Sequence, residues 1–238
     1  MRKWLKIGAF TIALIALVFI IRYQFISEDS SSPWHLPLSG KVIILDPGHG
    51  GIDGGAVSKG GLLEKDLTLN ISLKLRDYLQ EAGALVFMTR EEDKDLANAG
   101  TKRVRHRKAE DLKRRVELIN TTGGDLFISV HLNAIPSPRW RGAQTFYYMP
   151  NKNNEVIAKF IQDELRYNLE NTERLAKPID NIFLLKHAEI PGALVEVGFL
   201  SNADEAALLE TEKYQQKVAA SIYQGLMRYF TNEKTPMS

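Results

Sequence analysis

The 238-residue chain carries 44% hydrophobic, 25% charged and 9% aromatic residues, close to the average for a folded globular protein, which excludes both disorder and a multi-span membrane protein. It contains no cysteine, so disulfides, thiolate metal sites and a cysteine nucleophile are excluded, and any metal must take nitrogen and oxygen ligands. Of 31 Lys and Arg against 29 Asp and Glu, four basic residues (Arg2, Lys3, Lys6 and Arg22) lie in an N-terminal stretch without acids. The remainder is net negative, which argues against nucleic acid as a partner.

The basic start MRKWLK precedes an uncharged run from Ile7 to Ile21, closed by Arg22. This pattern predicts a signal anchor or signal peptide over residues 1–26. Fifteen helical residues rise about 22 Å, short of the roughly 30 Å hydrocarbon core, and snorkelling Lys6 and Arg22 with Trp4, Tyr23 and Phe25 extend the reach. No small-residue cleavage pattern follows the run, which favours an uncleaved anchor. The basic side then stays in the cytoplasm, and the rest of the chain lies beyond the membrane, anchored or secreted. Residues 27–38, beginning SEDSSSPWHLP, read as a tether, residues 39–232 as one catalytic domain, and 233–238 as a tail.

Within the domain, strand and helix signals alternate. Strand Lys41 to Leu45 leads into a glycine-rich loop. Leu67, Ile71, Leu75 and Leu79 recur at helical spacing and predict a helix from about Asp66 to Ala82. Strand Leu85 to Thr89, a long polar loop, a helix near Ala109 to Asn120, and strands Leu126 to His131 and Ala143 to Tyr148 follow. Helix Glu155 to Glu170, strand Ala193 to Val197 and helices near Asp204 to Leu209 and Lys213 to Tyr229 complete the domain. The expected fold is α/β, with a mixed, mostly parallel central sheet flanked by helices.

The chemistry concentrates at strand ends. LDPGHGGIDGGA places Asp46 and His49 at the carboxyl end of the first strand, the edge where open α/β sheets build their sites. A phosphate loop is the weaker reading, because neither G-x-x-x-x-G-K-[ST] nor a proper G-x-G-x-x-G is present. ISVHLNA brings His131 to the same edge, and Glu64 in GLLEKDL opens the first domain helix. Two His and one Glu with an open position form a hydrolytic zinc pattern. Glu196 in GALVEVGFLSN sits among apolar residues, where a carboxylate is costly without a partner or a task, and is the candidate general base. Asp46, Asp53 and Asn133 are candidates either to orient the ligands or to meet the substrate. His35, in the tether, His106, in a basic run, and His187, in a loop, are set aside. Taken singly, the chosen residues are ordinary: a strand-end His is often structural and a helix-start Glu is usually a cap or dipole partner.

These motifs, with TREED at Thr89 to Asp93, occur in the order found in the zinc-dependent N-acetylmuramoyl-L-alanine amidases of the bacterial cell wall, the Amidase_3 family, which the chain resembles over residues 41–230. The resemblance implies that His49, Glu64 and His131 bind one Zn2+, that Glu196 activates water, and that the substrate is peptidoglycan. More narrowly, the anchor, the lack of wall-binding repeats, PLSGKVIILDPGHGG and FYYMPN resemble the germination-specific members. That implies action on spore cortex during sporulation, in the wall or intermembrane space of the developing spore, leading to muramic δ-lactam with a partner deacetylase. The segment KDLANAGTKRVRHRKAED is an insertion relative to the wider family, read as a solvated loop or as a contact to anionic wall polymer. Asn133 to Gly142 is too short for the inhibitory helix of some division amidases, so the site is expected to be open; Trp140 and Arg141 there either line the groove or pack against prolines. Two other readings stay open: another zinc hydrolase of wall polymer, such as a deacetylase or peptidase, and a non-catalytic wall-binding scaffold.

Overall fold

The computed structural model describes residues 2–26 and 36–236. Most of the predicted tether, including His35, and the last two residues of the tail lie outside the described residues. The chain divides into an N-terminal unit through Leu36 and a domain from Pro37 onward. The first unit holds helix α1 (Arg2–Ile26), whose described apolar side chains, Phe10, Ile12 and Phe19 among them, are exposed. Among the described residues, no helix is long and apolar enough to cross a membrane.

The domain is built on a six-stranded sheet. Its strands are β1 (Val42–Pro47), β2 (Leu85–Met88), β3 (Leu126–Asn133), β4 (Gln144–Tyr147), β5 (Lys177–Pro178) and β6 (Gly192–Phe199), in the order β2-β1-β3-β6-β4-β5. All neighbours run parallel except β4 and β6. The apolar runs VIIL, LFISV and ALV on the three central strands fit a sheet covered on both faces. Inward and outward side chains alternate to build two cores. Ile43, Leu45, Ile128, Val130, Val195 and Val197 face one side, and Ile44, Phe127 and Leu194 the other.

Helices α2 (Glu64–Glu81), α4 (Lys152–Leu169) and α7 (Glu212–Phe230) cover the first face. Leu67, Ile71, Leu75 and Leu79 of α2 and Val218, Ile222 and Leu226 of α7 are all buried at their helical spacing, each such side chain contributing about 1.5–3 kcal/mol. Helices α3 (Val104–Thr121) and α5 (Phe183–His187) cover the second face, and α6 (Ala203–Glu210) precedes α7. The helix α3 is held differently from the others. Ile119 is its single buried apolar residue, and its other buried side chains are Asp111 and Arg115.

Several expectations shift. The long polar loop is shorter than its composition suggested, because the basic run is already helical from Val104. Arg107 folds back onto Asp95 at 2.8 Å and Lys108 onto Asp53 at 2.7 Å, so the insertion is only in part a solvated loop. The two-residue strand β5 and the short helix α5, which places His187 on a helix rather than in a loop, are too brief for a periodic signal.

Candidate metal centre

The three central strands end together, and their carboxyl edge carries the chemistry. His49 lies just after β1, in the left-handed region at φ 62°, a conformation that costs a non-glycine residue energy and persists only when surroundings enforce it. Two buried arginines do so. Arg90 donates to the carbonyls of Pro47 at 3.0 Å and Gly48 at 2.8 Å. Arg115 donates to Pro47 at 2.8 Å and to the His49 carbonyl. Arg115 is in turn fixed by Asp46 and Asp111, both at 2.8 Å. Asp46 also accepts from Thr89 at 2.7 Å and Ser129 at 2.6 Å. Burial alone would raise the Asp46 pKa, yet the Arg115 charge and these hydrogen bonds hold its carboxyl below the usual range. Burial, with Arg115 nearby, pushes Arg90 down to about 10. Asp46 therefore supports the loop from within the protein rather than meeting a ligand.

Glu64, the first residue of α2, is buried. One carboxylate oxygen accepts from Ala56 N at 2.8 Å, the other from Leu132 N at 2.9 Å. The same oxygens meet His49 Nε2 at 3.1 Å and His131 Nδ1 at 3.0 Å. Burial opposes ionisation, but the His131 and His49 contacts hold the carboxyl far below the ordinary range. The imidazoles stand edge to face, 5.0 Å between centroids. One ligand atom from each of His49, Glu64 and His131 falls within 4.8 Å of the others, an arrangement able to hold a metal ion.

Two glycines make room for this cluster. A Cβ on Gly48 would overlap the His131 ring. On Gly55, whose φ is 69°, a Cβ would come within 2.6 Å of Glu64 Oε2 and 2.7 Å of His49 Cδ2. Only glycine accepts both that backbone and that approach.

Asp53 accepts from or pairs with His49 Nδ1 at 3.0 Å, the carboxylate–imidazole contact that orients a metal-binding His. Asn133 enters through its carbonyl, which accepts from Leu200 N at 2.9 Å. Glu196 lies opposite His131 in the parallel register of β3 and β6. Its Oε2 is buried without a hydrogen-bond partner. Burial, reinforced by the nearby Glu64 charge, pushes its pKa up to about 7 against the opposing effect of the histidines. His187 packs on Phe183, away from this cluster. Trp140, half exposed, has the Arg174 guanidinium 5.8 Å from its ring, and Arg174 also covers Phe199 at 5.2 Å.

Sequence reasoning missed the part played by Arg115 and Lys108. Both sit in the basic run, where nothing local separates a buried or site-facing cation from a solvated one.

A mostly parallel α/β domain with two His and a Glu gathered at its carboxyl edge has the architecture of an amidase, with a donor set able to hold a metal ion. The chain matches the Amidase_3 family, described as N-acetylmuramoyl-L-alanine amidase, over residues 43–228, and belongs to it. It is 61% identical over 236 residues, 99% of each chain, to the germination-specific N-acetylmuramoyl-L-alanine amidase of Bacillus subtilis (strain 168). Among solved structures, the CwlD amidase from Clostridioides difficile, in complex with the GerS lipoprotein, superimposes with a TM-score of 0.80 at 43% identity, covering 82% of this chain and all of that one. An N-acetylmuramoyl-L-alanine amidase from Clostridium difficile 630 gives 0.72 at 29% identity, over 82% of this chain and 98% of that one.

Proposed function

We propose that this protein hydrolyses the amide between the lactyl group of N-acetylmuramic acid and L-alanine in peptidoglycan, with spore cortex as its substrate and germination as its setting. The observation that carries this reading is the convergence of His49, Glu64 and His131 donor atoms within 4.8 Å, beside an unpartnered buried carboxylate oxygen of Glu196, in a chain of this family. The donor set of two imidazoles and one carboxylate suits Zn2+. The orphaned Glu196 oxygen is costly in an apolar wall unless the site holds a cation or a reacting group.

When bound, zinc supplies a Lewis acid that polarises the scissile carbonyl and acidifies water. The chain's own groups do the rest. Asp53 fixes the His49 ring, and the Ala56 and Leu132 amides fix both oxygens of Glu64. Glu196, whose pKa burial pushes up to about 7, takes a proton from the attacking water and returns it to the leaving amine of L-alanine. The basic start and the uncharged run from Ile7 to Ile21 support an export segment, a signal anchor or signal peptide, that delivers the domain beyond the membrane. A deacetylase acting on the denuded muramic acid would complete δ-lactam formation.

Product analysis tests the reaction. Purified cortex peptidoglycan incubated with the protein should yield new L-alanine amino termini and no acetate. Released acetate would instead mark a deacetylase, new amino termini other than L-alanine a peptidase, and no release of any kind a scaffold.

A further inference from the structure

Beside the two histidines lies a cavity of about 260 Å³, lined by His49, Asp53, His131, Lys108, Leu112 and Leu184 among others. One wall is α3, on which Lys108 and Leu112 lie one turn apart on a single face. Leu184 of α5 also lines the cavity. The two site histidines thus share one cavity with two leucines and a lysine.

Two cations line it, and they differ in what they have left to give. Arg115 is buried, and its nitrogens are engaged by Asp46, Asp111 and the carbonyls of Pro47 and His49. The Lys108 side chain is 47% exposed and has one partner, Asp53 Oδ1 at 2.7 Å. An ammonium carries three donors, so Lys108 retains donors beside the cavity. The acids lining it are already committed: Asp46 and Asp111 to Arg115, Asp53 to His49 and Lys108.

We propose that this cavity receives the peptide side of the substrate and that Lys108 is a specificity residue reading the first carboxylate beyond the scissile bond. The inference rests on the amidase reading, in which the residue after the cleaved L-alanine is an acidic D-glutamyl unit. The ligand class is an acidic peptide with a small apolar first residue, its methyl group against Leu112 and Leu184 and its carboxylate on Lys108.

The test compares two muropeptides, one with the free D-glutamyl carboxylate and one with that carboxyl amidated, on zinc-loaded wild type and Lys108→Met. Wild type should favour the acidic substrate by roughly tenfold in kcat/KM, carried mainly by KM, the size expected for one charge-assisted hydrogen bond. Lys108→Met should cut kcat/KM on the acidic substrate to the level of the amidated one. Lys108→Arg should restore most of the preference. A role for Lys108 only in holding Asp53 would slow both substrates equally and leave their ratio unchanged, which would overturn the inference. Equal cleavage of both substrates by wild type would overturn it as well. Cleavage of neither by zinc-loaded wild type would instead strike at the amidase reading itself.

Discussion

Glu196 stands opposite His131 across the parallel pairing of β3 and β6, and its Oε2 is buried without a hydrogen-bond partner. A carboxylate in that position weakens the resting protein and has value only in the reaction. Glu196→Gln should therefore lower kcat by about 10²–10⁴-fold, while zinc content stays at the wild-type level and thermal stability does not fall. Wild-type turnover in fully loaded Glu196→Gln would remove Glu196 from the chemistry.

Asp53 should matter to the metal more than to the fold. It holds His49 Nδ1 at 3.0 Å and is partly exposed. Asp53→Ala is expected to weaken zinc binding by about 10–100-fold, read by competition with a chromogenic chelator, with little change in urea midpoint. His131→Ala, which deletes a ligand, should leave the protein without stoichiometric zinc.

Arg115 links α3 to the His49 loop. Arg115→Met leaves Asp46 and Asp111 buried without their cation, a change expected to cost about 3–5 kcal/mol. Urea denaturation of the metal-free protein measures this directly. Because α3 has so little buried apolar surface, amide exchange should increase first along that helix. A loss under 1 kcal/mol would mean that the helix is held by something else.

The site's titrations give the metal-free and zinc-loaded forms opposite pH behaviour. Glu64 and Asp46 ionise below the ordinary carboxyl range in the fold, so their contribution is complete above a pH of about 4.5 and is lost as pH falls. Glu196, pushed up to about 7, and His49, whose pKa is raised by Glu64 and Asp53 against the effect of burial, work the other way. Their contribution is full below their unfolded values and declines as pH rises through the folded ones. Zinc needs deprotonated ligands, so its stabilisation grows over the same range. The melting-temperature gap between loaded and metal-free protein should widen from pH 5 to pH 8; a constant gap would contradict this assignment.

Much of this site was legible in the chain because its parts sit where strand and helix signals are strong. His49 and His131 each end an apolar run, Glu64 opens a periodic helix, and Glu196 interrupts the apolar stretch ALVEV. What was not legible depends on long-range contact. Asp46 reads as a group that either orients a ligand or meets the substrate, yet its partners Thr89, Arg115 and Ser129 come from three separate segments of the chain and turn it inward. Lys108 and Arg115 share a run of basic residues, and only the packing of α3 against β1 and its loop turns one inward and leaves the other beside a cavity. The start of α3 at Val104 was hidden by the same charges, since a helix with one buried apolar side chain has almost no hydrophobic period to read.

We propose that a zinc ion held by His49, Glu64 and His131 makes this chain an amidase. The most direct measurement is metal analysis of the purified protein paired with cleavage of cortex peptidoglycan before and after chelation and after zinc is restored. The expected result is one zinc per chain, release of L-alanine amino termini, loss of release on chelation and recovery with one equivalent of zinc. Undiminished cleavage by protein shown to be free of metal would contradict it.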